Sequence, residues 1–300
     1  MSLSIGVDVG GTKVLAGVVN ESGEILKSIR VDTPKAGGSA VTESIAGVVK
    51  TLADEFSLKS AGIAVPGYVS SDRQRVLGIP NIKNWHEFNL RDEIYKLINL
   101  ETIVENDANA AAWAEYRFGS AKGESHVIIL TIGTGLGGGI IIDGKVITGS
   151  TGAAGELGHV IVDPNGNKCG CGSRGCLETT SATVAICTNA KSKTPADAYE
   201  KAAAGDAIAL EAFKIAGRGL GVAITSIMVT LSPDAFVIGG GVSQAGEMLN
   251  KYIREEVDSR LTIFPPNTVK LIPAELGVYA GAIGAALNGA IAAGVELVNN

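Results

Sequence analysis

The chain has 300 residues, a net charge of −6, 46% hydrophobic residues and 19% charged ones. Such a composition excludes a disordered chain and suffices for two packed cores, and no basic stripe is present to hold a nucleic acid. Only 5% of residues are aromatic while 40 are glycine, which points to small-residue strands and helices joined by tight turns.

The N-terminus, MSLSIGVDVGGTK, lacks the charged start and unbroken apolar stretch of a secretory signal. Ser4–Val9 reads as a strand around Asp8, Gly10–Gly11 turns the chain, and Lys13–Val19 runs on to a second turn at Ser22–Gly23. Val41, Ile45, Val48, Val49, Leu52 and Phe56 follow helical spacing. Gly62–Val65 is a short buried strand ending at Pro66–Gly67, Leu90, Ile94, Leu97 and Ile98 mark a helix, and Thr102–Glu105 is a further strand. An alanine-rich helix near Ala108–Phe118 closes this half.

At Val127 the opening pattern returns as VIILTIGTGLGGGIIIDGKVI: apolar strand, Gly/Thr turn, apolar strand, hairpin turn at Asp143–Gly144. The repeat implies an internal duplication. Two α/β lobes with a cleft between them are expected, over 1–118 and 119–300. A loop-rich insert covers about 152–181, and a long helix, Ala207 to Leu231, stops at Ser232–Pro233 because proline cannot continue it. Asp234–Ile238 reads as a strand, Gly239–Gly241 as a glycine turn and Ser243–Arg260 as a helix. Val127–Ile142 is broken by glycines, and Gly277–Val295 is Ala/Gly-rich around Asn288, so a buried helix fits the latter better than a membrane span. This last helix is expected to pack back on the first lobe. A cytoplasmic protein without a membrane partner follows, in which the four cysteines read as metal ligands or core residues before disulfides.

Three patterns carry chemistry. In Asp8-Val9-Gly10-Gly11-Thr12-Lys13 a carboxylate precedes backbone stripped of Cβ atoms, which lets N–H groups approach phosphate oxygens, with Asp8 placed for Mg²⁺. Gly133, Thr134 and Gly135 offer a second half of a phosphate clamp, and Gly239–Gly240 would suit the ribose and adenine of a nucleotide. Either turn taken alone is equally an ordinary hairpin. Asp107, in Glu105-Asn106-Asp107-Ala108-Asn109, opens a helix after a strand, which suits a general base or a simple N-cap. Cys169, Cys171 and Cys176 with His159 make a Cys₃His set, a closed shell for structural Zn²⁺, and Cys187 reads as core. Glu156 and Glu178 flank this cluster as candidate sugar contacts or plain surface acids.

Together, DVGGTK, Pro66–Gly67, ENDANAAA, TIGTGLGGG, GELGH, CGCGSRGCLE and the late GGGVS resemble, in order, the ROK family of sugar kinases and sugar-responsive repressors. The resemblance implies a two-lobed, actin/hexokinase-like fold of duplicated ribonuclease H-like domains with a zinc-binding insert. It implies an ATP-dependent hexose kinase with glucose as first acceptor. N-Acetylmannosamine, N-acetylglucosamine and fructose are alternatives. By resemblance Asp107 is the base, and Gly67, Asn106, Glu156, His159 and Glu178 contact sugar. Asp8, Gly10, Gly11, Thr12, Thr134 and Gly240 then hold Mg-ATP. A homodimer or homotetramer is also implied. A sugar-sensing regulator is the competing class, disfavoured because the first strand starts within ten residues and leaves no room for a helix-turn-helix. Polyphosphate as donor would need a basic track that the acidic balance argues against.

Overall fold

The computed structural model describes residues 2–79 and 82–295, apart from the side chains of Ser243 and Gln244. The chain forms two compact units: one runs up to Lys122 and adds Val146–Ala154 and everything from Leu276, the other comprises Gly123–Lys145 and Gly155–Glu275. The division is therefore not sequential.

The first unit contains β1 (Leu3–Val9), β2 (Lys13–Val19), β3 (Ile25–Asp32), α1 (Gly38–Ala53), β4 (Leu58–Val65), β5 (Tyr68–Val69), β6 (Val76–Gly78), α2 (Leu90–Ile98), β7 (Glu101–Asn106) and α3 (Asp107–Phe118). Its main sheet has the order β3-β2-β1-β4-β7. The β3-β2-β1 part is antiparallel, and β4 and β7 continue parallel to β1. Alternation along β1 sorts its side chains: Ile5, Val7 and Val9 join Val41, Ile45, Val49 and Leu52 of α1 in one core, as a strand buried on both faces allows. β4 begins four residues before the apolar run that marks it in the sequence, because Leu58 and Ser60 pair with Leu3 and Ser4 on either side of a register irregularity, and Lys59 and Ser60 carry no apolar signature.

The second unit contains β8 (His126–Ile132), β9 (Leu136–Ile142), α4 (Glu178–Ser181), α5 (Thr183–Asn189), α6 (Pro195–Ala203), α7 (Ala207–Leu231), β11 (Ala235–Gly239), α8 (Gly246–Arg260) and β12 (Leu271–Pro273), and β10 (Lys145–Val146) marks its boundary. Its sheet order, β10-β9-β8-β11-β12, repeats the first, with β11 and β12 again parallel to the opening strand. α7 is long and apolar enough to cross a membrane by length and composition alone. It is instead a core helix, with Phe213, Leu220, Ile224 and Met228 buried and Gly217 and Gly221 closely approached by Tyr252 and Glu256 of α8. It ends with Ser232 in the left-handed region, φ 46°, just before Pro233. α8 starts at Gly246, later than its sequence pattern suggests, because Gly241–Ala245 winds as a tighter 3₁₀ turn.

The last helix, α9 (Ala280–Ala292), lies in the first unit against the Gly6–Asp8 face of β1. A methyl on Gly6 or Gly62 would collide with the carbonyls of Ala282 or Ala285, and one on Gly284 with the carbonyl of Ala110 in α3. Glycine and alanine here let backbones touch. Glu115 of α3, 1% exposed, ties two separate segments of this unit: its Oε2 accepts from Ser120 N–H at 3.1 Å and its Oε1 from Leu276 N–H at 2.8 Å.

Candidate functional site

In the first unit the candidate residues gather at the carboxyl ends of its parallel strands, where open α/β sheets bind ligands. Asp8, Ala64 and Glu105 stand in one cross-strand row on β1, β4 and β7. The turn after β1 is rigid: Gly10 N–H donates to the Lys13 carbonyl at 2.8 Å, and Thr33 clamps it through Oγ1 to the Gly10 carbonyl at 2.7 Å and N–H to the Thr12 carbonyl at 3.0 Å. Gly11, Thr12 and Lys13 are exposed at its tip. The Lys13 ammonium is paired with Asp32 of β3. Asp8 is packed against Gly281 near the start of α9, and burial pushes its carboxyl up to about 6. A cavity of about 440 Å³ opens here, lined by Asp8, Gly10, Thr12, Lys13, Arg30 and Tyr279.

Gly67, after β4, holds φ 95°, a left-handed conformation that suits glycine. Its carbonyl accepts from Asn106 Nδ2 at 3.0 Å. Asn106 is the N-cap of α3, its Oδ1 taking the Asn109 N–H at 3.0 Å. Capping thus falls to Asn106, and Asp107 is the first residue of the helix, with Oδ1 accepting the Ala108 N–H at 2.8 Å. Glu105 behind them is buried and paired with Arg73 at 3.1 Å. Burial raises its pKa, and Arg73 pulls it partly back. Arg73 left no trace in the sequence pattern because it sits in a turn far along the chain from Glu105.

In the second unit, His159, Cys169, Cys171 and Cys176 bring one donor atom each within 4.8 Å of one another. Tetrahedral zinc, with bonds of about 2.3 Å to sulfur and about 2.0 Å to nitrogen, would space sulfur pairs by about 3.8 Å and sulfur–nitrogen pairs by about 3.5 Å. Cys171 and Cys176 Sγ are 3.7 Å apart, and Cys169 Sγ lies 3.6 Å from His159 Nδ1. The donor set fits a tetrahedral divalent metal. Burial, reinforced by the neighbouring thiols, pushes the Cys176 thiol up to about 12, whereas the Ser173 N–H holds Cys171 below its usual range. A cation offsets the cost of keeping such thiolates together.

Glu178 stands between this cluster and the β8–β9 turn. Its Oε1 lies 3.7 Å from Cys169 Sγ and its Oε2 accepts from Leu136 N–H at 3.0 Å, beside Gly135. Thr183 holds the same turn from the other side, donating Oγ1–H and N–H to the Gly133 carbonyl at 2.6 and 2.9 Å. Thr134 is left exposed at the tip. Glu156 is half-buried, with its carboxyl raised by burial, lowered by His159 and raised again by Glu178. Gly239 pairs with Thr131, and Gly240, at φ 87°, comes so close to the Ile132 backbone that a side chain would collide. Beyond it lies a hollow of about 280 Å³ lined by Ile186, Pro195, Tyr199, Phe213, Gly241 and Val242. The aliphatic and aromatic members of this hollow come from three α-helices and the 3₁₀ turn after β11, and no local motif announces them.

The ROK family profile matches residues 4–288. A glucokinase from Streptomyces coelicolor is 38% identical over 309 aligned residues, spanning 95% of this chain and 97% of that protein. Among solved structures, a ROK family glucokinase from Streptomyces griseus in complex with glucose and AMPPNP is 37% identical with a TM-score of 0.85, covering 96% of this chain and 99% of its own. A ROK hexokinase from Thermus thermophilus is 34% identical with a TM-score of 0.86, covering 96% and 98%. Sequence match, repeated sheet plan and the order of the motifs agree: the chain belongs to the ROK family and has its two-unit, actin/hexokinase-like α/β fold.

Proposed function

We propose that the chain is an ATP-dependent hexose kinase that phosphorylates glucose, with Asp107 as general base. The observation that carries this reading is the placement of Asp107 on the first turn of α3, beside an asparagine that takes over the capping role. A carboxylate so placed is favoured by the positive end of the helix, while the neighbouring Asn106 side chain bonds the Asn109 N–H. It accepts the proton of a sugar hydroxyl while that oxygen forms its bond to the γ-phosphorus and the bond to the bridging oxygen of ADP breaks.

The other residues divide by task. Asn106, the Gly67 backbone, Glu156, His159 and Glu178 orient sugar hydroxyls. Asp8 provides the carboxylate for the magnesium that accompanies ATP. Gly10, Gly11 and Thr12, with Gly133, Thr134 and Gly135, donate N–H and O–H groups to phosphate oxygens. Lys13, already paired with Asp32, adds positive charge at that turn. Gly239 and Gly240 open onto the hollow of Ile186, Tyr199 and Phe213, whose apolar walls suit a purine ring. Zinc bound by His159, Cys169, Cys171 and Cys176 has four protein ligands and is structural.

The test is ADP release from Mg-ATP with glucose, mannose, fructose, N-acetylglucosamine and N-acetylmannosamine. Glucose is expected to give the highest kcat/KM, and Asp107→Asn is expected to bind sugar while losing about 10²–10⁴-fold in kcat. Near-normal turnover by that variant would remove Asp107 from the role. An N-acetylhexosamine outrunning glucose would reassign the acceptor.

A further inference from the structure

Behind the proposed base lies an ion pair, buried at its Glu105 end and half-buried at Arg73, whose members come from distant parts of the chain. Arg73 sits in the β5–β6 turn in the left-handed region, φ 56°. The turn is pinned: Arg73 N–H donates to the Ser70 carbonyl at 2.8 Å, and Ser70 Oγ accepts the Arg75 N–H at 3.0 Å. β7 is the outer strand of its sheet, and the Arg73 carbonyl accepts the Val104 N–H at 3.0 Å, covering that free edge. From this platform the guanidinium forms an ion pair with Glu105 Oε2 at 3.1 Å through Nη2, without hydrogen-bond alignment, and donates to Asn288 Oδ1 of α9 at 3.3 Å through Nη1. The other Glu105 oxygen accepts the Asn106 N–H at 2.9 Å and lies 3.5 Å from Asn109 Nδ2.

We propose that Arg73 and Glu105 are positioning residues that hold the Asn106–Asp107 corner in the geometry proton transfer requires. The proposal rests on the reading of Asp107 as the base. Glu105 is 3% exposed and Arg73 29%, and an ion pair with one member buried is a poor stabilising device, since desolvating that charge offsets much of the attraction. Its value lies in direction. The carboxylate grips the backbone N–H of Asn106 directly. The Asn106 side chain in turn fixes the Gly67 carbonyl and caps the helix on which Asp107 is the first residue. A shift of one register element at Glu105 therefore moves the base and the sugar-orienting amide together. Arg73 has the planar fork needed to hold Glu105 and α9 at once, which a lysine lacks.

The experiment compares Arg73→Met, Arg73→Lys, Asp107→Asn and the double variant Arg73→Met/Asp107→Asn in steady-state sugar phosphorylation, well below their melting temperatures. Arg73→Met is expected to lower kcat by about 10–100-fold, the scale of a misplaced catalytic group, with KM for Mg-ATP within about twofold. Arg73→Lys is expected to fall between it and the parent. In the Asp107→Asn background, Arg73→Met is expected to cost nothing further in kcat, because its effect on kcat runs through that carboxylate, while its effect on the sugar-orienting Asn106 amide shows in KM for sugar. A further tenfold loss there, or parental kcat in Arg73→Met, overturns the proposal. Full turnover by Asp107→Asn would instead overturn the assignment of the base, which separates the two failures. Arg73→Met/Glu105→Gln guards against a folding defect: it removes both charges and is expected to regain thermal stability without regaining kcat. Recovery of kcat along with stability would show a purely structural pair and sink the idea.

Discussion

Asp8 shows how one side chain can carry a pH signature. Packed beside Gly281, its carboxyl is raised from an ordinary 3.8 to about 6 by loss of hydration. The folded chain therefore holds this proton more tightly than the unfolded one. Asp8 costs stability once ionised, a cost that sets in as pH rises from about 4 to 6 and disappears in acid. A bound cation reverses that penalty. Affinity for Mg-ADP is accordingly expected to climb between pH 5 and 7 and to level off above, since the protonated acid offers no charge. Asp8→Asn is expected to bind Mg-ADP weakly and without that rise. Calorimetric titration across the range measures both, and a parental profile flat from pH 5 to 8 would deny Asp8 this part. Asp8 was legible in the sequence because it precedes a glycine turn. Its raised pKa was not, because the burial comes from α9, more than two hundred residues away in the chain.

At the level of elements, glycines separate two effects that sequence propensity confuses. Gly47 lies exposed in α1 with open space where a side chain would go. Gly47→Ala is expected to stabilise the chain by about 0.4–1 kcal/mol, mostly by restricting the unfolded state. Gly284 in α9 gains the same propensity benefit from alanine, yet its new methyl would strike the Ala110 carbonyl of α3. Overpacking costs about 1–3 kcal/mol, and backbone yields less readily than a side chain, so Gly284→Ala is expected to destabilise. Urea unfolding of the two variants decides the matter, and a stabilised Gly284→Ala would mean that α3 and α9 can part easily. The same contrast explains what could be read in advance. Long periodic segments such as α7 and hairpins such as β1–β2 announce themselves through spacing and turn residues. β3, whose apolar residues are interrupted by Lys27, Ser28 and Arg30, and the short β5, β6 and β12 depend on partners for their structure, and no local pattern marks them.

At the scale of the whole molecule, one sheet plan is used twice and the segment with the Cys₃His cluster breaks the repeat. The duplication was visible because both copies begin with strand, glycine turn and strand, and the Cys₃His spacing was visible because few other arrangements of thiols serve a purpose. What the spacing could not show is where that segment leads. Glu178 follows two residues after Cys176, and its carboxylate touches Cys169 on one side and holds the Leu136 N–H on the other. Thr183, five residues on, grips Gly133. The cluster therefore supports the β8–β9 turn as well as its own loop, and loss of the metal should reach the nucleotide as well as the sugar. Removing groups that merely orient a metal's ligands costs about 10–100-fold in metal affinity, so Cys171→Ser, which removes a ligand outright, is expected to cost more than about 100-fold. Cys171 is exposed, so the change leaves no buried cavity to confuse the result. Zinc per chain, measured by elemental analysis after dialysis, is expected to fall well below one. Affinity for Mg-ADP should fall in parallel, with Glu178→Gln weakening nucleotide binding while retaining zinc. Full zinc content in Cys171→Ser would remove that cysteine from the ligand set. Zinc loss with unchanged nucleotide affinity would show that the β8–β9 turn stands without the cluster, leaving Thr183 as its sufficient support.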